Sequence, residues 1–224
     1  MEDLSILGLT VAAALTATAL ILVPGVALAW GLARSRASHL RDLLETALSL
    51  PLVLPPTAVG VLLLALLSPQ GLLGSVLNRL GIQLVFTWKA VVIAAATMSF
   101  PFLVRSARTA FEEVNPRLLD VARTLGKTRL QVFWGVALPL AWRGVLAGTL
   151  LAFSRALGEF GATILIAGNI PGHTQTLSLA IFHRYQLGKD PAALRLVAIS
   201  TALAFVAIWI TEGVSRQRAK RLLT

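Results

Sequence analysis

The segment Asn115–Pro139, NPRLLDVARTLGKTRLQVFWGVALP, is a polar island between long apolar runs, and its reading decides the fold. Asn115 suits a helix N-cap, and Pro116 suits a first turn, where a missing N–H leaves nothing unsatisfied. Gly126 supplies a stop. Thr128 with Gln131 three residues on has capping-box spacing, which predicts a second helix. Leu118, Val121, Ala122 and Leu125 fall on one face of the first helix, and Leu130, Phe133, Trp134 and Ala137 form a stripe on the second. The expected element is a pair of short amphipathic helices over 115–138 joined at Gly126. Such a hairpin suits either a membrane surface or a partner's groove.

The surroundings place this hairpin in a membrane protein. Of the 224 residues 56% are hydrophobic and 13% charged, with a mean hydropathy of +0.79. That is the composition of one compact membrane domain spanning residues 1–224. There is no cysteine, which excludes disulfides and thiolate metal sites. The net charge of +10 raises nucleic-acid binding as a function class, but the basic residues flank apolar spans and form no separate basic domain.

Outward from the hairpin, apolar runs predict five crossings, at about 4–33, 43–67, 88–104, 139–166 and 194–215. Leu4 to Ala33 contains no charge and exceeds the roughly 20 residues needed to cross a bilayer core. Pro24 is expected to kink it. The second run carries Pro51, Pro55 and Pro56, which cannot sit in one regular helix. It is read either as an element lining a pathway or as a kinked packed helix. Ser99-Phe100-Pro101 is expected to interrupt the third run. The stretches 68–87 and 167–191 read as outer loops, the first with a surface helix and the second with a re-entrant one.

The fourth run contains Arg155 and Glu159, spaced to share one helical face where charge is costly. They neutralise one another, line a route, or do both. Three Lys/Arg follow the first run, seven lie between Arg105 and Arg143, and four close the chain, so that 14 of 20 fall on one side. By the positive-inside rule the amino end is outside and the carboxyl end cytoplasmic.

Catalytic signatures are missing. No GxxxxGK[ST] phosphate loop occurs, so ATP and Mg are expected on a partner and this chain is not expected to be an enzyme. His39, His173 and His183 lack paired metal-ligand spacing. No cofactor or metal is expected in the chain.

With these features in place, Asp120, Ala122, Gly126, Val136, Leu138 and Pro139 resemble the cytoplasmic EAA loop of ABC-transporter permeases. That loop reads Glu-Ala-Ala, three residues, Gly, nine residues, Ile-x-Leu-Pro. Here Asp replaces Glu, Val121 the first Ala, and Val136 Ile. LPLVLPPTAVG (50–60), MSFP (98–101), ARTLG (122–126) and RALGEFGATILIAGNIPG (155–172) resemble permease subunits of molybdate importers, with sulfate and tungstate permeases as near relatives. The resemblance covers nearly the whole chain. It implies an all-α, five-helix type I importer permease in the inner membrane, working as a homodimer with two cytoplasmic ATPase subunits and an external binding protein that delivers an oxyanion. It further implies a coupling role for Asp120, Ala122 and Gly126, and a pathway or gate at Pro55, Pro56, Thr57, Ser99, Arg155, Glu159, Phe160, Gly161 and Thr163. A passive channel and a membrane-embedded enzyme are the competing classes.

Overall fold

The computed structural model describes residues 2–35 and 38–220; Arg36 and Arg221, counted above among the cytoplasmic charges, lie outside the described residues. Every regular element among the described residues is helical: α1 (Glu2–Arg34), α2 (His39–Val53), α3 (Pro56–Leu67), α4 (Leu72–Arg79), α5 (Trp88–Glu112), α6 (Pro116–Thr124), α7 (Arg129–Val132), a π-helical turn (Phe133–Ala137), α8 (Leu138–Leu157), α9 (Gly161–Ile166), α10 (Leu177–Gln186) and α11 (Asp190–Lys220).

Four uninterrupted stretches are long and apolar enough to cross a membrane: α1, α5, Arg129–Leu157 and α11. The α2–α3 pair is bent by 114°. At about 1.5 Å per residue neither half alone covers the ~30 Å hydrocarbon core. The ends of the pair nevertheless lie at opposite ends of the bundle. Arg41 and Glu45 on α2 meet Arg108 and Glu112 beside the α6–α7 hairpin, whereas Leu67 closing α3 packs in the cluster holding Val91 and Ala94 near the start of α5. The broken pair thus carries the chain across, and α4 turns over its far end as the surface helix of the 68–87 loop. Within 167–191, α10 has ten residues, too few to cross, and buries Leu177, Leu179 and Ala180. The N–H of Leu177 donates to Thr10 Oγ1 on α1 at 2.8 Å, so α10 is pinned back into the bundle.

Lipid tails are as apolar as leucine, so helices in a bilayer associate through close packing of small residues. The inner face of α1 follows this rule with Ala13, Ala14 and Ala17, and α5 answers with Ala90, Ala94 and Ala95. In contrast, α11 turns Leu194, Val197, Phe205 and Trp209 outward.

Three expectations need correction. Pro101 does not interrupt the third span: α5 runs unbroken for 25 residues, because Pro101 is fully buried in a helix packed on both flanks, and that packing outweighs one lost backbone bond. The fourth span does not begin at Pro139. Its helix starts at Arg129 in the hairpin and passes through the π turn into α8. The proline ring would crowd the carbonyl four residues back, and widening the preceding turn relieves this, with Leu138 N–H bonding to Phe133 O five residues back. Finally, this span does not run helically to 166, because α8 ends at Leu157 and α9 starts afresh at Gly161.

Candidate functional site

Two breaks in the helices meet. Leu54 and Pro55 are extended, as a residue preceding proline favours, and Pro56 opens α3 at a position that needs no N–H. Opposite lies the Gly158–Phe160 break before α9. A methyl group on Gly161 would stand 2.7 Å from Pro56 Cβ, and one on Gly60 would stand 3.0 Å from Ala162 Cα. Backbone-to-backbone packing therefore joins α3 to α9. Pro55, Pro56 and Thr57, implied by the resemblance together with Glu159, Phe160, Gly161 and Thr163, are thus brought to one seam with α9, and the first three are exposed in this single chain.

Glu159 does not share a helical face with Arg155, as the spacing implied. It lies beyond the α8 cap Gly158 and is 3% exposed. Both of its oxygens face partners across the break. Oε2 is 2.8 Å from Arg155 Nη2, and Oε1 accepts the Ala162 N–H at 2.8 Å. The carboxylate thereby ties the end of α8 to the start of α9, where its negative charge also suits the helix N-terminus. Phe160 stacks edge-on against Phe182 of α10 with centroids 5.1 Å apart. Ser99 and Thr163 are fully buried with hydroxyls that meet no partner among the described residues, so neither faces open surface in this conformation.

At the other end, α6 is capped by Asn115 Oδ1, which accepts the Arg117 N–H at 3.0 Å, and Thr128 with Gln131 forms the reciprocal capping box. The hairpin docks through Leu119, Ala122 and Val132, leaving Leu118, Val121, Leu125, Leu130 and Trp134 as an exposed apolar face. Ala122 is therefore a packing residue beneath that face, Leu119 is an inward anchor that the sequence stripe omitted, and Asp120 is exposed beside Arg123 at 3.3 Å. Gly126 has φ +81°, and a Cβ added there would meet no atom within 4 Å. Gly126→Leu is therefore expected to insert and fold with a strain of roughly 1–2 kcal/mol from the left-handed backbone, while its projecting side chain should weaken binding of the ATPase that the EAA-loop resemblance implies by about tenfold or more. Titrating purified ATPase subunit onto the variant in detergent measures this; unchanged affinity contradicts a contact role for the turn.

Sequence reasoning missed the clamp behind the hairpin. Arg34, read only as a flanking charge, donates to Phe111 O at 2.6 Å and Val114 O at 3.3 Å, and its guanidinium lies 5.0 Å from the Trp30 ring. Trp30, Phe111 and Phe133 form one aromatic cluster, tying α1, the end of α5 and the π turn together. Beside it, Arg108 bridges Glu45 at 2.6 Å and Glu112 at 2.7 Å, fastening the otherwise unburied α2 to α5. Only the i,i+4 spacing of Arg41–Glu45 and Arg108–Glu112 signalled any of this in sequence.

Residues 25–220 match the family described as binding-protein-dependent transport system inner membrane component. The chain belongs to this family. The permease is 46% identical over 202 residues to the molybdenum transport system permease protein ModB of Escherichia coli (strain K12), covering 88% of each chain. It is 37% identical over 214 residues to the sulfate transport system permease protein CysT of Salmonella typhimurium, covering 96% of this chain and 77% of that one. Among solved structures, a bacterial ABC transporter that imports the acidic polysaccharide alginate aligns with a TM-score of 0.71 at 19% identity, over 97% of this chain and 80% of that one. The fold of the permease is thus the type I ABC importer architecture, in a multi-pass protein of the inner membrane.

Proposed function

We propose that this permease is the membrane-spanning subunit of a molybdate importer, moving the oxyanion inward at the expense of ATP hydrolysed on a separate subunit. The observation that carries the reading is the 46% identity to the E. coli molybdenum permease over most of both chains. The exposed apolar hairpin supports an ATPase partner, since a passive channel has no use for a docking face of this kind. Two copies of the chain, two ATPase subunits and an external binding protein make up the proposed assembly, with ATP and Mg held by the ATPase. Asp120 and Gly126 contact the ATPase in this reading, and Ala122 supports them from beneath.

The seam between α3 and α9 is the proposed gate. Arg155 is held against Glu159, so its charge is offset and no fixed cation traps a dianion on the route. Selectivity then falls to the binding protein. In proteoliposomes containing the permease, its ATPase and the binding protein, ATP-dependent uptake should favour molybdate and tungstate over sulfate and phosphate. Preferred uptake of sulfate would move the assignment to the second reading, which the 37% identity to the sulfate permease supports. Uptake of an amino acid or a cation at an equal rate would defeat both.

The orientation follows from the charge distribution, with the hairpin cytoplasmic, the amino end outside and the carboxyl end inside. A reporter fused after Thr224 should be cytoplasmic, and one inserted near Gln70 or Gly188 external. An external carboxyl terminus overturns the orientation.

A further inference from the structure

At the end of the bundle opposite the hairpin, the first turn of α1, the close of α10 and the start of α11 enclose a pocket of about 440 Å³. Its walls carry Gln175, His183, Arg184, Lys189 and Arg195 against one acid among the described lining residues, Asp3. Asp3 is occupied, with its Oδ1 2.7 Å from Arg184 Nη2. Lys189 and Arg195 have no ion-pair partner among the described residues. Gln175 is 5% exposed, yet its side-chain amide makes no hydrogen bond to a described residue and opens into the cavity. An amide that opens into the cavity without a protein partner, beside two uncompensated cations, is an arrangement that an anionic ligand completes.

We propose that this pocket binds a tetrahedral oxyanion, taken either as the free ion or as the phosphate of a lipid head group. The guanidinium of Arg195 offers paired donors to two oxygens, Lys189 adds a compact positive charge, and the Gln175 amide supplies a neutral donor from the buried wall. Both sources fit the position. The pocket opens at the outer ends of crossing helices, and below it Leu194 and Val197 lie exposed on α11, where acyl chains would run. Neither source requires the proposed cargo to be correct. The pocket holds none of the residues of the α3–α9 seam.

The test uses the full-length chain and two arms. In the first, molybdate or inorganic phosphate is titrated calorimetrically onto the chain in neutral detergent. In the second, native mass spectrometry follows retention of phosphatidylglycerol against phosphatidylcholine after release from mixed nanodiscs. One site per chain is expected in at least one arm, and the arm that responds identifies the source. Arg195→Gln and Lys189→Gln should each weaken it about tenfold, Arg195→Lys should restore part of the loss, and Asp3→Asn should tighten it by removing the competing carboxylate. Melting temperatures of the variants should stay near that of the parent, since both cations are exposed. Absence of binding in both arms overturns the proposal, as does binding indifferent to all four substitutions. Loss of binding-protein docking with anion and lipid binding unchanged also overturns it, because the pocket would then receive a protein carboxylate.

Discussion

Glu159→Ala is expected to destabilise the permease by about 3 kcal/mol, because it strips a partner from a partly buried guanidinium. It also removes the acceptor of the Ala162 N–H at the start of α9, leaving a backbone donor unmet in the break. The two losses are separable. Glu159→Gln keeps an oxygen for Ala162 but no charge for Arg155, so its stability should fall between that of Ala and that of the parent. Combining Glu159→Ala with Arg155→Met should recover much of the loss, since an unpaired ion is worse than none. Thermal unfolding in detergent reads the stability of each. If the single alanine variant melts with the parent, the carboxylate does not hold the break together. Transport is expected to fail in all three, because α8 and α9 no longer move as one linked unit when the ATPase closes.

The second large effect concerns the seam itself. Gly60→Val places atoms against the Cα and carbonyl of Ala162, both 3.0 Å from the first added carbon, and against Leu165 Cβ at 3.1 Å. Backbone cannot move aside as a side chain can. Gly161→Ala meets the Pro56 ring at 2.7 Å, which is almost as rigid. Overpacking of this kind costs about 1–3 kcal/mol, and it should push α3 away from α9 and lower uptake by an order of magnitude or more while ATPase binding at the distant hairpin persists. Gly25→Ala is the control. Its new methyl approaches Leu103 Cδ2 at the same 2.7 Å, but that is side chain and not backbone, so the buried Leu103 can repack and uptake should fall less than in either seam variant. Equal loss in the control would show that the seam is no more sensitive than any other tight contact.

The legibility of this fold varied with the range of the forces involved. Caps and stops are local, so Asn115, Gly126 and the Thr128–Gln131 box were readable and are present as expected. The break at Pro55-Pro56 was equally plain, because proline acts within one turn. Pro101 misled for the complementary reason: its local effect is overcome by packing on two neighbours that no local pattern displays. The Arg155–Glu159 pair was found, but on the wrong backbone. Gly158 was a stop signal, and the acid three residues before Ala162 was a cap, yet an i,i+4 spacing reads as helix unless the stop is given precedence. Arg34 was beyond reach, since its acceptors lie 77 and 80 residues away. The meeting of the two breaks at Gly60 and Gly161 was legible only as two motifs and not as one seam.

The π turn at Phe133–Ala137 also bears on how such a protein can change over generations. A turn bonded five residues back holds one residue more than an α-helix needs. Deleting one residue there would rewind the turn as α-helix and leave the hairpin on nearly its present bearing relative to α8, because the wide turn already absorbs the extra residue. The exposed Leu130 would keep its direction, whereas the same deletion in the regular helix of α8 would turn it by about 100°. The turn is therefore a point of slack in a crossing helix, where a lineage of permeases can lose a codon while its docking face still matches the same ATPase.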